Sequence, residues 1–120
     1  MNENNYLFIL TNISDNADKA ALPLVLANAA LNANKDALIW LTLDGVALAK
    51  NGAAEEVQPA SFAPVKELLD LFIENGGRIG VCPPCAATHN VTDDNKLEQA
   101  EWMGGVALLE ETQRRQTFTF

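Results

Sequence analysis

Short apolar runs punctuate the chain at Tyr6–Leu10, Ala37–Leu43, Ile79–Cys82 and Val106–Leu109. Their apolar residues follow one another without strict alternation. That pattern suits strands covered on both faces, as in a parallel sheet held between helices. Thr117–Phe120 alternates polar and aromatic residues and reads as a short final strand. Between the runs the period changes to that of a helix. Val65, Leu68, Leu69, Phe72 and Ile73 fall on one helical face, with Pro64 at the first helical position and Asn75-Gly76-Gly77 as the stop.

Asp15–Asn34 is a second helical segment, with Ser14 or Asp15 as its cap and Asp18 at its positive end. Pro23 lies inside it and predicts a kink or a late start. The segment is apolar nearly all round from Ala20 to Leu31, which implies burial on more than one side. Asp93–Met103 reads as a further helix, capped by Thr92 or Asp93 and halted by Gly104-Gly105. Asn51–Phe62 is the one longer loop, with the composition of a mobile segment. Strands alternating with helices argue an α/β layer fold in a single domain spanning residues 1–120.

Composition narrows the function classes. The apolar fraction of 48% supplies a core, and the net charge of −8 with a pI near 4.4 disfavours nucleic acid and anionic membrane surfaces as partners. Arg114-Arg115 is the only adjacent basic pair. The longest apolar stretch, Ala20–Ala33, is interrupted by Pro23, Asn28 and Asn32 and falls short of the ~20 residues of a bilayer span. Met1–Asn5 lacks the basic start of a secretory leader, so the chain reads as cytoplasmic.

In that compartment the two cysteines become the chief candidates for chemistry. Cys82 and Cys85 are the only ones present and form a Cys-Pro-Pro-Cys motif after an apolar run. Such a pair is more often catalytic, redox-active or metal-binding than structural. In open parallel sheets, sites gather at the carboxyl ends of strands. Thr11–Asp15, Thr42–Gly45 and Cys82–Cys85 all fall there.

A thiol between strand and helix start faces partial positive charge. Cys82 is therefore expected to ionise below the ordinary cysteine range and to be the attacking group. Cys85, about one turn on, is the candidate resolving or second sulfur site. His89 would share a helical face with both if the helix continues. The three then form a possible metal-ligand set, although a structural zinc wants a fourth ligand. The plainer reading of His89 is a surface histidine near the thiols, able to supply a proton. Asp15 and Asp44 read first as cap or turn residues and second as lining of the crevice mouth. Trp40 reads as core, and Trp102 as half-exposed.

With these residues placed, the chain resembles the DsrE/DsrF-like proteins, which include sulfur-relay subunits and proteins labelled predicted peroxiredoxins. The resemblance covers almost the whole chain. It is carried by Tyr6–Thr11 with Asp15–Ala21, by Ala20-Ala21-Leu22-Pro23, by Leu41–Ala49, by Pro64–Gly77 and by Gly80–Cys85. It implies a three-layer α/β/α sandwich with a mostly parallel sheet of about five strands. It also implies homo-oligomers, often trimers or hexamers, and a persulfide carried on the cysteine matching Cys82. The apolar first helix and the final strand independently suggest self-association.

The leading expectation is a sulfur-carrier or thiol-transfer subunit that needs no cofactor and works between sulfur-donor and sulfur-acceptor proteins. A second possibility is an oligomeric binding module holding a metal or small ligand at Cys82, Cys85 and His89. A thioredoxin-like oxidoreductase ranks lower. That fold places its Cys-x-x-Cys after an early strand and adds a later cis-proline, whereas here the pair comes late and no proline follows Pro84.

Overall fold

A computed structural model describes residues 4–120, so Met1–Glu3 of the N-terminal reading lie outside the described residues. The elements are β1 (Asn5–Leu10), α1 (Ala17–Asn32), β2 (Asp36–Leu41), α2 (Val65–Glu74), β3 (Arg78–Val81), α3 (Pro83–Thr88), β4 (Ala100–Trp102), α4 (Gly105–Thr112) and β5 (Gln116–Thr119). A 3-10 helix, Leu43–Ala49, and a 3-10 turn, Ala54–Glu56, lie between β2 and α2.

The five strands form one sheet in the order β4-β3-β2-β1-β5, and every pairing is parallel. The order explains the layers. The steps β1→β2→β3→β4 all move the same way across the sheet, and right-handed crossovers then place α1, α2 and α3 on one face. The step from β4 to β5 returns to the opposite edge, which sends α4 to the other face. The packing agrees. Phe8, Leu10, Ile39, Leu41, Ile79 and Val81 join the buried residues of α1, α2 and α3 in the larger core cluster. Leu7, Leu38 and Met103 form a smaller cluster with Ile9, Trp40 and Leu108 of α4. The molecule is thus the expected α/β/α sandwich, thick on one side and thin on the other.

The first helix starts at Ala17 and runs unbroken through Pro23 to Asn32, so the proline causes no late start. Its cap is Asn16, whose side chain accepts from the amides of Asp18 and Lys19. Ser14 and Asp15 are not the cap. Their own amides donate to Asn12 Oδ1 in the preceding turn. The helix buries Ala20, Ala21, Leu24 and Ala27 but leaves Leu22 and Leu26 exposed. Pro64 is the cap of α2, one position earlier than expected.

Two segments differ from their sequence expectation. Val106–Leu109 is helical, inside α4, with Val106 78% and Leu109 63% exposed. A short apolar run cannot be told from a helix by periodicity alone, and the leucines and glutamates that surround it are strong helix formers. The expected helix Asp93–Met103 is instead a turn followed by β4. Thr92 and Asn95 bond to each other's backbone amides, offering the chain an alternative to helix. The crossover from β3 to β4 is made by α3. The loop Asn51–Phe62 is anchored: Asp18 accepts from the amides of Ala60 and Ser61 and from Ser61 Oγ, and these bonds hold its carboxyl below the usual range.

Candidate functional site

Because β3, β2 and β1 are neighbours, the turns that follow them lie side by side at one edge of the sheet. The ladder carries on past the strand ends. Thr42 N–H donates to Leu10 O at 3.1 Å and Cys82 N–H to Leu41 O at 2.9 Å. Leu41 pairs with Val81, so Thr42 and Cys82 leave the sheet next to each other.

Cys82 caps α3 and is half-buried; Pro83 and Pro84 occupy the first helical positions, where no amide donor is required. Cys85 follows within the helix and is also half-buried. The two sulfurs stand 3.5 Å apart, with the Cys82 thiol placed to donate. Thr42 Oγ1 lies 3.5 Å from Cys85 Sγ on the other side. The Cys85 thiol is held below the ordinary cysteine range, chiefly by the Thr42 hydroxyl. Burial opposes this, and the Leu43 backbone N–H and the Cys82 thiol reinforce it.

Asp44 ties two of the turns together. Its Oδ2 accepts from Ile13 N–H at 3.0 Å, Ser14 N–H at 3.3 Å and Ser14 Oγ at 2.8 Å. Burial pushes its carboxyl up, but these bonds and the nearby His89 charge bring it below the usual range. Gly45 makes the approach possible. A Cβ at this position would lie 2.3 Å from the carbonyl oxygen of Leu10, so only glycine lets the turn after β2 pass under the end of β1.

The structure therefore brings Cys82 and Cys85 together, and His89 acts on this edge only through its charge near Asp44. His89 ends α3, its N–H donating to Cys85 O at 3.1 Å, and its side chain makes no hydrogen bond to either sulfur among the described residues. No group of three His, Cys, Asp or Glu side chains among the described residues is placed to hold a metal ion, so the alternative ligand set of Cys82, Cys85 and His89 is not assembled. The helix that would have had to continue for them to share a face stops at Thr88. Asp15 is exposed in the turn after β1, and among the described residues it joins the site only through its backbone bond to Asn12. Trp40 lies on the thin face, half-buried, with Nε1 donating to Met103 O. Trp102 is half-exposed, as expected, and donates to Asp93.

Thr42 and the Leu43 amide were not foreseen as partners of a thiol. A signal existed: a hydroxyl residue directly after the strand beside the cysteine strand. Its use depended on knowing that β2 and β3 are neighbours in this register.

Comparison with known proteins agrees with this architecture. A family model described as the DsrE/DsrF-like family matches residues 4–120. An uncharacterised protein of Methanocaldococcus jannaschii, MJ0760, is 31% identical over 104 residues, which is 86% of this chain. The chain spans only 38% of that relative's length. Among solved structures, YchN of Escherichia coli superposes with a TM-score of 0.77 at 18% identity, covering 97% of this chain and 99% of that one. MTH1491 of Methanobacterium thermoautotrophicum gives 0.74 at 13% identity, covering 98% and 100%. These likenesses are of fold. Among the described residues no helix is long and apolar enough to cross a membrane.

Proposed function

Since the chain belongs to the DsrE/DsrF-like family, we propose that it is a sulfur carrier working through the Cys82–Cys85 pair. The observation that carries this reading is the pair itself: two half-buried thiols 3.5 Å apart at the carboxyl end of the sheet, with hydrogen-bond donors drawn to one of them. In the reaction a cysteine thiolate attacks the terminal sulfur of a donor persulfide. A new sulfur–sulfur bond forms on the cysteine, the donor's bond breaks, and the electron pair leaves on the donor thiolate. Sulfur moves without net oxidation. An acceptor thiolate can then take the same atom by the same exchange.

The experiment is incubation of the reduced protein with a small-molecule persulfide, followed by intact-mass and peptide analysis. A gain of about 32 Da per sulfur on the Cys82–Cys85 peptide is expected. Absence of both that adduct and a Cys82–Cys85 disulfide formed with release of sulfide overturns the carrier reading.

The chain is also proposed to associate with further copies of itself, as a trimer or hexamer. Leu22 and Leu26 of α1, Phe118 of β5, and Val106 and Leu109 of α4 are all exposed, and all four residues of the edge strand β5 face solvent. Light scattering at micromolar concentration is expected to show a multiple of the 13.0 kDa chain mass; a monomer mass there ends this part of the proposal.

A further inference from the structure

Two side chains converge on one sulfur. Thr42 Oγ1 and Cys82 Sγ each stand 3.5 Å from Cys85 Sγ, and the backbone N–H of Leu43 helps hold that thiol below the ordinary cysteine range. Cys82 Sγ has no comparable set. Its one hydrogen bond among the described residues is the one it donates to Cys85, and its side chain caps no amide of α3.

The turn that carries Thr42 continues through an unusual backbone. Leu43 has φ +52°, in the left-handed region that a leucine rarely occupies, and its side chain is left exposed in solvent. Such a conformation is unfavourable for a residue with a side chain and persists only where the surroundings enforce it. Here the lateral bond from Thr42 N–H to Leu10 O and the passage of Gly45 beneath β1 enforce it. The turn thereby holds the Thr42 hydroxyl beside the neighbouring strand's thiol.

We propose that Cys85 is the thiolate that takes up sulfane sulfur, that Thr42 is the positioning residue that holds it through its hydroxyl, and that Cys82 is the partner thiol that resolves the product. This rests on the sulfur-carrier reading for the identity of the incoming atom, while the division of roles rests on the contacts. It reverses the order that the position of Cys82 between strand and helix suggests from sequence. Thr42 must then be the donor in its contact with sulfur, since a thiolate can only accept.

The resolving step balances. The Cys82 sulfur attacks Sγ of the Cys85 persulfide and the Cys82–Cys85 bond forms. The bond to the outer sulfur breaks, and that sulfur leaves as hydrosulfide with the proton from Cys82. Two cysteine sulfurs are oxidised to a disulfide and one sulfane sulfur is reduced to sulfide. Reopening the disulfide takes an external dithiol reductant.

The test is alkylation of the reduced protein with limiting iodoacetamide across a pH series, read by peptide mapping. Cys85 is expected to be labelled first, with a midpoint below that of free cysteine. Thr42→Val keeps the shape and removes the donor. It should raise the Cys85 midpoint and slow its labelling near neutral pH about tenfold, the scale of one hydrogen bond to a charged group, and Thr42→Ser should restore both. Cys82→Ala should shift the Cys85 midpoint in the same direction, which covers the case where the valine variant does not fold. Labelling of Cys82 first, or a Cys85 midpoint indifferent to both substitutions, overturns the assignment. Alkylation involves no sulfur donor, so the two readings fail separately. Persulfide on Cys82 alone sinks the division of roles but not the carrier. Cys85-first labelling without persulfide loading, disulfide formation or sulfide release sinks the carrier but not the thiolate.

Discussion

The two ends of the parallel sheet handle buried polar groups in opposite ways. At the amino end, Arg115 is only 5% exposed and its guanidinium is fully engaged: Nε meets Glu111 at 2.8 Å, one terminal nitrogen meets Asp36 at 2.8 Å, and the other donates to Tyr6 O at 3.1 Å. Glu111 also receives Arg78 and Arg114, and Arg78 goes on to Glu101. The cluster joins β1, β2, β3, β4 and α4 on the thin side of the sandwich, where the apolar cluster is small. At the carboxyl end, the polar groups are a hydroxyl, an amide and two thiols, held by a few long contacts to sulfur. The first arrangement leaves no group free to react and can only hold strands in place. The second leaves half-buried sulfur with few partners, and that is the condition for exchange chemistry.

The comparison can be broken from either end, and the larger effect lies at the amino end. Arg115→Ala would strip Glu111 and Asp36 of their shared cation and leave Glu111, itself nearly buried, in a poorly compensated site. Removing one partner from a buried ionic set costs about 3–5 kcal/mol. Urea denaturation should show that loss, while the order in which Cys85 and Cys82 are alkylated stays as in the parent chain. A change of that order would mean that the two ends are coupled through the strands.

A smaller effect is expected at the carboxyl end. Asp44→Asn keeps the shape of the turn but gives up the charge that draws Ile13 and Ser14. The site is partly open to solvent, so the loss should be about 1–2 kcal/mol. The pH dependence follows from the direction of the shifts. For Glu111, burial raises the pKa but Arg115 and Arg78 bring it below the usual range; for Asp44, burial is likewise outweighed by its hydrogen bonds. A carboxylate depressed in the folded state contributes stability above its unfolded pKa and loses it as pH falls through the folded one. Stability should therefore be level near neutrality and decline below about pH 4. The Asn variant should decline less steeply in acid titration; an identical decline would leave Asp44 no part in it.

Much of this could be read before any coordinates. The runs at Tyr6–Leu10, Ala37–Leu43 and Ile79–Cys82 marked the three central strands, and Val65–Ile73 marked α2, because burial on both faces and an amphipathic period both leave a trace in sequence. The runs failed at Val106–Leu109 and Asp93–Met103. In the first, few residues and mixed propensity left the period undefined. In the second, reciprocal side-chain bonds between Thr92 and Asn95 favoured a turn over the helix that composition suggested.

The sequence by itself determined that the chain folds as an α/β layer structure and that its only two thiols sit one turn apart after a strand. Those facts depend on local spacing and on burial, which are written along the chain. Only the tertiary structure decided which sulfur is surrounded by donors. Thr42 stands some forty residues before Cys85 and reaches it because β2 and β3 are paired in one register. Such contacts come from the order of strands in the sheet, and no local pattern in the chain encodes that order.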